Sequence, residues 1–236
     1  MADRCIQIKR VPLKKFQSKE KIEMFQRGKM YMKSLEWYRN NAKISAVGDD
    51  YEAMLHINEG AIIVMSENES EVISYADLTD TLISTVHGKD FVFCMFSISP
   101  QTKCFSFTEE QRNNMLGFGD TALLIENSEE FYNRVRNSMK KEHISLQNAY
   151  CGRVEYYDES VDSLQIISSL LKGMHNVAFQ KRKKYSYQQE YRILVPYDSQ
   201  DEDFLELDIG DISDISEIIP AKTILKSLCK KADTIQ

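Results

Sequence analysis

The sequence predicts an α+β fold with a mixed, largely antiparallel sheet. Short apolar runs dense in β-branched and aromatic side chains recur along the chain, helical periodicity is confined to a few stretches, and no regular strand–helix–strand alternation connects them. No internal repeat and no Pro/Gly-rich linker divides the 236 residues, so a single domain spanning 1–236 is expected.

The elements follow in order. Ser18 before Lys19, Glu20 and Lys21 opens a helix over 19–27, closed by Gly28, which tolerates the left-handed conformation after a helix end. Residues 29–35 have strand composition, and 40–50 are polar and turn-rich. The runs 61–65 and 91–98 read as buried strands central in a sheet, and a further strand is expected at 121–126. Ser128, Glu129 and Glu130 start an amphipathic helix over 128–141 with Phe131, Val135 and Met139 at four-residue spacing. A second helix is expected at 160–174, with a strand at 152–157 between the two. Strands at 190–195, 204–209 and 218–219 and a helix near 221–231 complete the chain.

Composition excludes several classes. With 30 Lys plus Arg against 36 Asp plus Glu the net charge is −6, the opposite of the cationic excess that general nucleic-acid or anionic-membrane binders use. No apolar run is long enough to span a bilayer, and MADRCIQIKR carries charge where a secretory apolar stretch would lie, so a cytoplasmic protein without membrane partners is expected. The five cysteines are scattered and lack a C-x-x-C pair, and no two of the four histidines stand at i, i+4, so neither a disulfide framework nor a local metal site is signalled. Dinucleotide-binding, P-loop and nucleophile-elbow motifs are absent.

The most informative stretch is 178–196. Four consecutive cations, Lys181 to Lys184, read as a basic loop leading into Tyr185, Tyr187 and Tyr191 and a strand that puts Gln188, Glu190 and Arg192 on one face. One reading is a solvated charged strand face. The other is a site for a nucleotide or other anionic small molecule: Lys181 and Arg182 for phosphates, Tyr187 for a base, a carboxylate for sugar hydroxyls. A second cluster, Gly48, Asp49, Asp50 and Glu52, lacks the spacing of a calcium loop, which leaves turn chemistry or a ligand role for Asp49 and Glu52.

The order of these elements resembles a bacterial and phage domain-of-unknown-function family. The resemblance is carried by Gly48-Asp49-Asp50-Tyr51-Glu52, Cys94-Met95-Phe96-Ser97, Met115-Leu116-Gly117-Phe118-Gly119, Val154-Glu155-Tyr156, and Lys181 with Tyr187-Gln188-Gln189-Glu190-Tyr191-Arg192. Gly48, Asp50 and Leu116 depart from its pattern of Asn, Pro and Trp. This family implies an architecture, and a recognition or regulatory role in phage and host conflict, without implying a reaction. The chain is also similar to toxin-type ADP-ribosyltransferases in the order of Arg10 (or Arg4), Ser97-Ile98-Ser99 and Gln188-Gln189-Glu190. That similarity implies NAD as cofactor and a protein or nucleic-acid acceptor. Glu190 would then hold the nicotinamide ribose and stabilise an oxocarbenium-like state, Ser97 would brace Glu190, Gln188 would select the acceptor, and Arg10 would bind pyrophosphate.

Overall fold

The computed structural model describes residues 13–41, 52–65, 72–83, 89–98, 107–158, 174–196 and 203–227. Arg10, Asp49, Ser99 and residues 160–173 of the expected helix at 160–174 lie outside them. The fold is α+β. The strands are β1 (Leu13–Gln17), β2 (Lys29–Ser34), β3 (Leu55–Met65), β4 (Val72–Ile83), β5 (Phe91–Phe96), β6 (Thr121–Ile125), β7 (Tyr150–Arg153), β8 (Glu155–Tyr157), β9 (Gln180–Arg182), β10 (Glu190–Val195), β11 (Phe204–Asp208) and β12 (Ser216–Pro220). The helices are α1 (Lys19–Gln26), α2 (Leu35–Asn40), α3 (Glu109–Leu116), α4 (Ser128–Lys141) and α5 (Ala221–Ser227), with 3-10 turns over Leu146–Asn148, Met174–Phe179 and Lys183–Gln188.

Eight strands form the main sheet, and every pairing in it is antiparallel. β5 is its centre. β10 runs along one edge from Glu190 opposite Phe96 to Val195 opposite Phe91, and β7 lies beyond β10. The other edge is divided. β2 pairs with Phe91 and Val92, β1 pairs with Phe96, and Phe93 to Met95 face neither strand. β11 extends the sheet beyond β2, while β6 and β12 extend it beyond β1.

Alternation along β5 sorts its side chains between two cores. Phe91, Phe93 and Met95 join Ile193, Val195, Leu123 and Ile125 on the face packed by Ile22 and Phe25 of α1 and by Phe131, Val135 and Met139 of α4. The opposite face carries two separate apolar patches. One gathers Phe16, Phe96, Ala122 and Met115 with Ile224 and Leu225 of α5, and the other gathers Val92, Leu194, Leu35, Ala53 and Phe179. Between them, on the same face, stand Glu190 and Arg192.

Local chemistry explains the element ends. Asn127, one residue before the expected start of α4, accepts from the Glu130 N–H and caps the helix, while Ser128 begins it. Thr108 and Gln111 form a capping box on α3, a helix not foreseen from sequence because its apolar periodicity is weak. Ser34 caps α2 within the segment expected to be strand and turn. Gly28 sits at φ +105 after α1, as expected. Two expectations are corrected. The run 61–65 belongs to β3, which among the described residues pairs with the unforeseen β4 in a separate two-stranded sheet, and 152–157 breaks at Val154 into β7 and β8. Apolar composition marks a strand but does not say which sheet receives it.

Candidate functional site

Four charged side chains meet in the gap between the two apolar patches. Arg192 Nε donates to Glu190 Oε2 at 2.8 Å, and its Nη1 lies 2.6 Å from Glu52 Oε1. Lys181 Nζ donates to Glu190 Oε1 and, at 2.7 Å, to Gln188 Oε1, and lies 3.8 Å from Glu52 Oε2. All five of these residues are buried, and Arg192 is the most enclosed at 1% exposure. Two cations against two carboxylates make the cluster neutral by formal charge, the condition under which such burial is tolerated.

Backbone geometry delivers these groups. Period-two alternation puts Glu190 and Arg192 on one face of β10, while β9 pairs parallel with β8 and sets Lys181 opposite Tyr156. Tyr156 Oη in turn accepts from the Glu190 N–H at 2.9 Å. Gln189, left-handed at φ 41, turns the chain so that Gln188 and Glu190 both reach Lys181. That turn is tied by Gln189 Nε2 donating to Ser186 O at 2.7 Å and by the Ser97 N–H donating to Gln189 O at 2.8 Å.

Electrostatics follow from burial and pairing. Burial alone would raise the Glu190 pKa, but Arg192 and Lys181 outweigh it and pull the carboxyl down to about 2. Burial opposes the charge on Lys181, and Glu190 and Glu52 outweigh it to hold the ammonium above its ordinary value. Burial pushes the Cys94 thiol up to about 12, assisted by Glu190, which makes it a poor nucleophile.

A cavity of about 90 Å³ opens beside the cluster, lined by Lys14, Lys15, Tyr38, Glu52, Phe118, Lys181, Gln188, Glu190 and Arg192 among others. Lys15 belongs to the divided edge of β5: its ammonium donates to the Cys94 carbonyl at 2.6 Å, where neither β1 nor β2 pairs, and lies 4.3 Å from the Phe93 ring centroid. Burial lowers its pKa and that of Lys14.

The structure thus brings together Lys181, Gln188, Glu190, Arg192 and Glu52. It corrects the reading of 181–184 as one basic loop. Lys181 and Arg182 are buried in β9, and only Lys183 and Lys184 are exposed. Lys183 lies 3.5 Å from Asp158, and Arg182 lies near the Tyr185 ring. Tyr187 packs beside the Phe16 and Phe96 patch. The Ser97 hydroxyl accepts from Arg153 Nη2 at 3.1 Å, so Ser97 acts on the backbone of the Gln189 turn and its brace on Glu190 is indirect. Lys14, Lys15 and Tyr38 were not singled out from sequence, and Tyr156 entered only within the Val154-Glu155-Tyr156 strand; the adjacent cations Lys14-Lys15 between Leu13 and Phe16 were the available signal. Among the described residues no group of His, Cys, Asp and Glu could hold a metal ion, and no helix is long and apolar enough to cross a membrane. No family model, curated protein or solved structure matches the chain.

Proposed function

We propose that the protein is a nucleotide-using enzyme, with NAD-dependent ADP-ribosyl transfer as the reaction to test first. The observation that carries the reading is the charge balance of the cavity. Among the described residues, Lys14, Lys15, Lys181 and Arg192 line it against Glu52 and Glu190, a surplus that an anionic ligand would neutralise. At about 90 Å³ the cavity is smaller than the void of about 150 Å³ that admits a benzene ring, so it suits one phosphate or sugar edge of a larger ligand. Glu190, kept as a carboxylate, suits stabilisation of a sugar cation; it is unsuited to general acid work at neutral pH.

A second reading, a non-catalytic recognition protein in phage and host conflict, draws on one observation: both Glu190 oxygens are already bonded to cations. The test is incubation with NAD while nicotinamide release is followed, alongside thermal unfolding with NAD, ATP and inorganic pyrophosphate. On the enzyme reading NAD is consumed, and Lys14→Gln, at the half-buried rim, weakens the anion-induced rise in Tm. Stabilisation without turnover favours the recognition protein. The absence of both turnover and stabilisation overturns the nucleotide site.

A further inference from the structure

Among the described residues that line the cavity beside the charged cluster, three cations already have partners. Arg192 and Lys181 bond Glu190 and stand against Glu52, and Lys15 donates to the Cys94 carbonyl. Lys14 differs: its ammonium meets neither a carboxylate nor a hydrogen-bond acceptor among the described residues, and stands 5.8 Å from the Phe96 ring centroid. We propose that Lys14 is a nucleophilic amine that condenses with a short oxo acid, a carbonyl compound carrying a carboxylate, held in this cavity. The inference goes beyond the nucleotide reading and shares with it the cationic surplus of the cavity.

Strand register sets the amine apart. Lys14 pairs with Phe96 and Phe96 with Glu190, so the three stand in one row on one face, with Lys14 and Glu190 two strand spacings, about 10 Å, apart. Lys14 is half-buried at the rim, open both to the cavity and to an arriving ligand. Burial lowers its pKa with no carboxylate to offset the effect, whereas Glu190 and Glu52 hold Lys181 in the opposite direction. More of Lys14 is therefore the neutral amine, the form that attacks a carbonyl. In that step the Lys14 Nζ lone pair bonds to the carbonyl carbon and the C=O π pair moves to oxygen. The oxygen then leaves as water with the two protons the neutral amine carried, and a C=N bond remains. The other lining groups select the rest of the ligand. Lys15 keeps further N–H donors after bonding Cys94 O, and it lines the same space as Lys181 and Arg192, which suits a carboxylate. At about 90 Å³ the cavity is smaller than the void of about 150 Å³ that admits a benzene ring, which restricts the acid to a few carbons.

Glyoxylate and acetaldehyde test this on the full chain, since both are small aldehydes and glyoxylate alone carries a charge. Each is incubated with the protein and cyanoborohydride, which reduces the imine to a stable secondary amine, and the modified lysines are read by peptide mass mapping. With glyoxylate, Lys14 should react severalfold faster than the exposed Lys19 and Lys29, and its reaction should persist to lower pH than theirs. Acetaldehyde should show a weaker preference for Lys14. Lys14→Arg, which keeps the charge and lacks the condensing amine, should lose the fast-reacting site. The rates on the unaltered chain stand as the test if that variant fails to fold. Reaction of Lys14 no faster than that of Lys19 and Lys29 overturns the nucleophile, and equal preference with both aldehydes overturns the oxo-acid ligand. Either failure leaves the effect of pyrophosphate on Tm, and with it the nucleotide reading, untouched.

Discussion

Lys181 shows how a residue's worth depends on what it leaves behind. On an exposed loop its removal would cost little, because surface ion pairs are weak and screened. Buried with Glu190, Glu52 and Gln188, it neutralises charge that is largely withdrawn from water. Lys181→Met is expected to destabilise the protein by about 3 kcal/mol, the low end for breaking a buried pair, since Arg192 still faces both carboxylates. Urea unfolding measures it, and a loss below about 1 kcal/mol would show that the pair is not closed off from solvent. The same logic changes how Glu190→Gln must be read. From sequence the change looks near-isosteric and harmless to the fold, but it strips a counter-charge from two buried cations, so lost turnover counts only beside a measured stability.

At the scale of elements, the divided edge of β5 decides the site. A continuous partner strand would have covered Phe93 to Met95; instead β2 and β1 each take one end, and Lys15 serves the Cys94 carbonyl. The position of β1 depends on Gly119, at φ +149, where an added Cβ would lie 2.1 Å from the Gln17 backbone carbon and 2.6 Å from Ser18 N. That contact is with backbone and cannot be relieved by a rotamer change. Gly119→Ala is expected to cost about 3 kcal/mol or more and to displace Lys14 and Lys15 from the cavity. Thermal unfolding and the anion-induced Tm shift check both parts. An unchanged Tm would mean that the β1–α1 junction is free to move.

At the scale of the whole molecule, the buried cluster links stability to pH. Glu190 has a lower pKa folded than unfolded, so the unfolded chain binds the extra proton and stability falls as pH drops. The contribution is complete above the ordinary value of 4.5 and is lost toward about 2. Asp214, bonded to Arg134, and Asp211, bonded to Ser213, shift in the same direction, but both are fully exposed and solvent screens them. Acid unfolding at fixed ionic strength is therefore expected to steepen below pH 4.5, and Glu190→Gln should flatten that limb. A limb unchanged by the substitution would place the acid sensitivity elsewhere.

How much was legible varies by element in a physically regular way. β10 was placed at its observed limits, and the pairing of Glu190 with Arg192 on one face was read from the two-residue period, because both depend only on local geometry. α4 was readable for the same reason: its four-residue spacing is a property of one segment. β3 was misplaced, and Lys181 and Arg182 were taken for a loop, because burial of a short polar strand is decided by its neighbours. By itself, then, the sequence determined the α+β class, most strand positions, and the grouping of Gln188, Glu190 and Arg192. Tertiary structure alone decided that Glu52 and Lys181 close around that face and that Lys14 and Lys15 enter the cavity. Those contacts depend on strand register and on the division of β5's edge, which arise between distant segments and leave no local period to read.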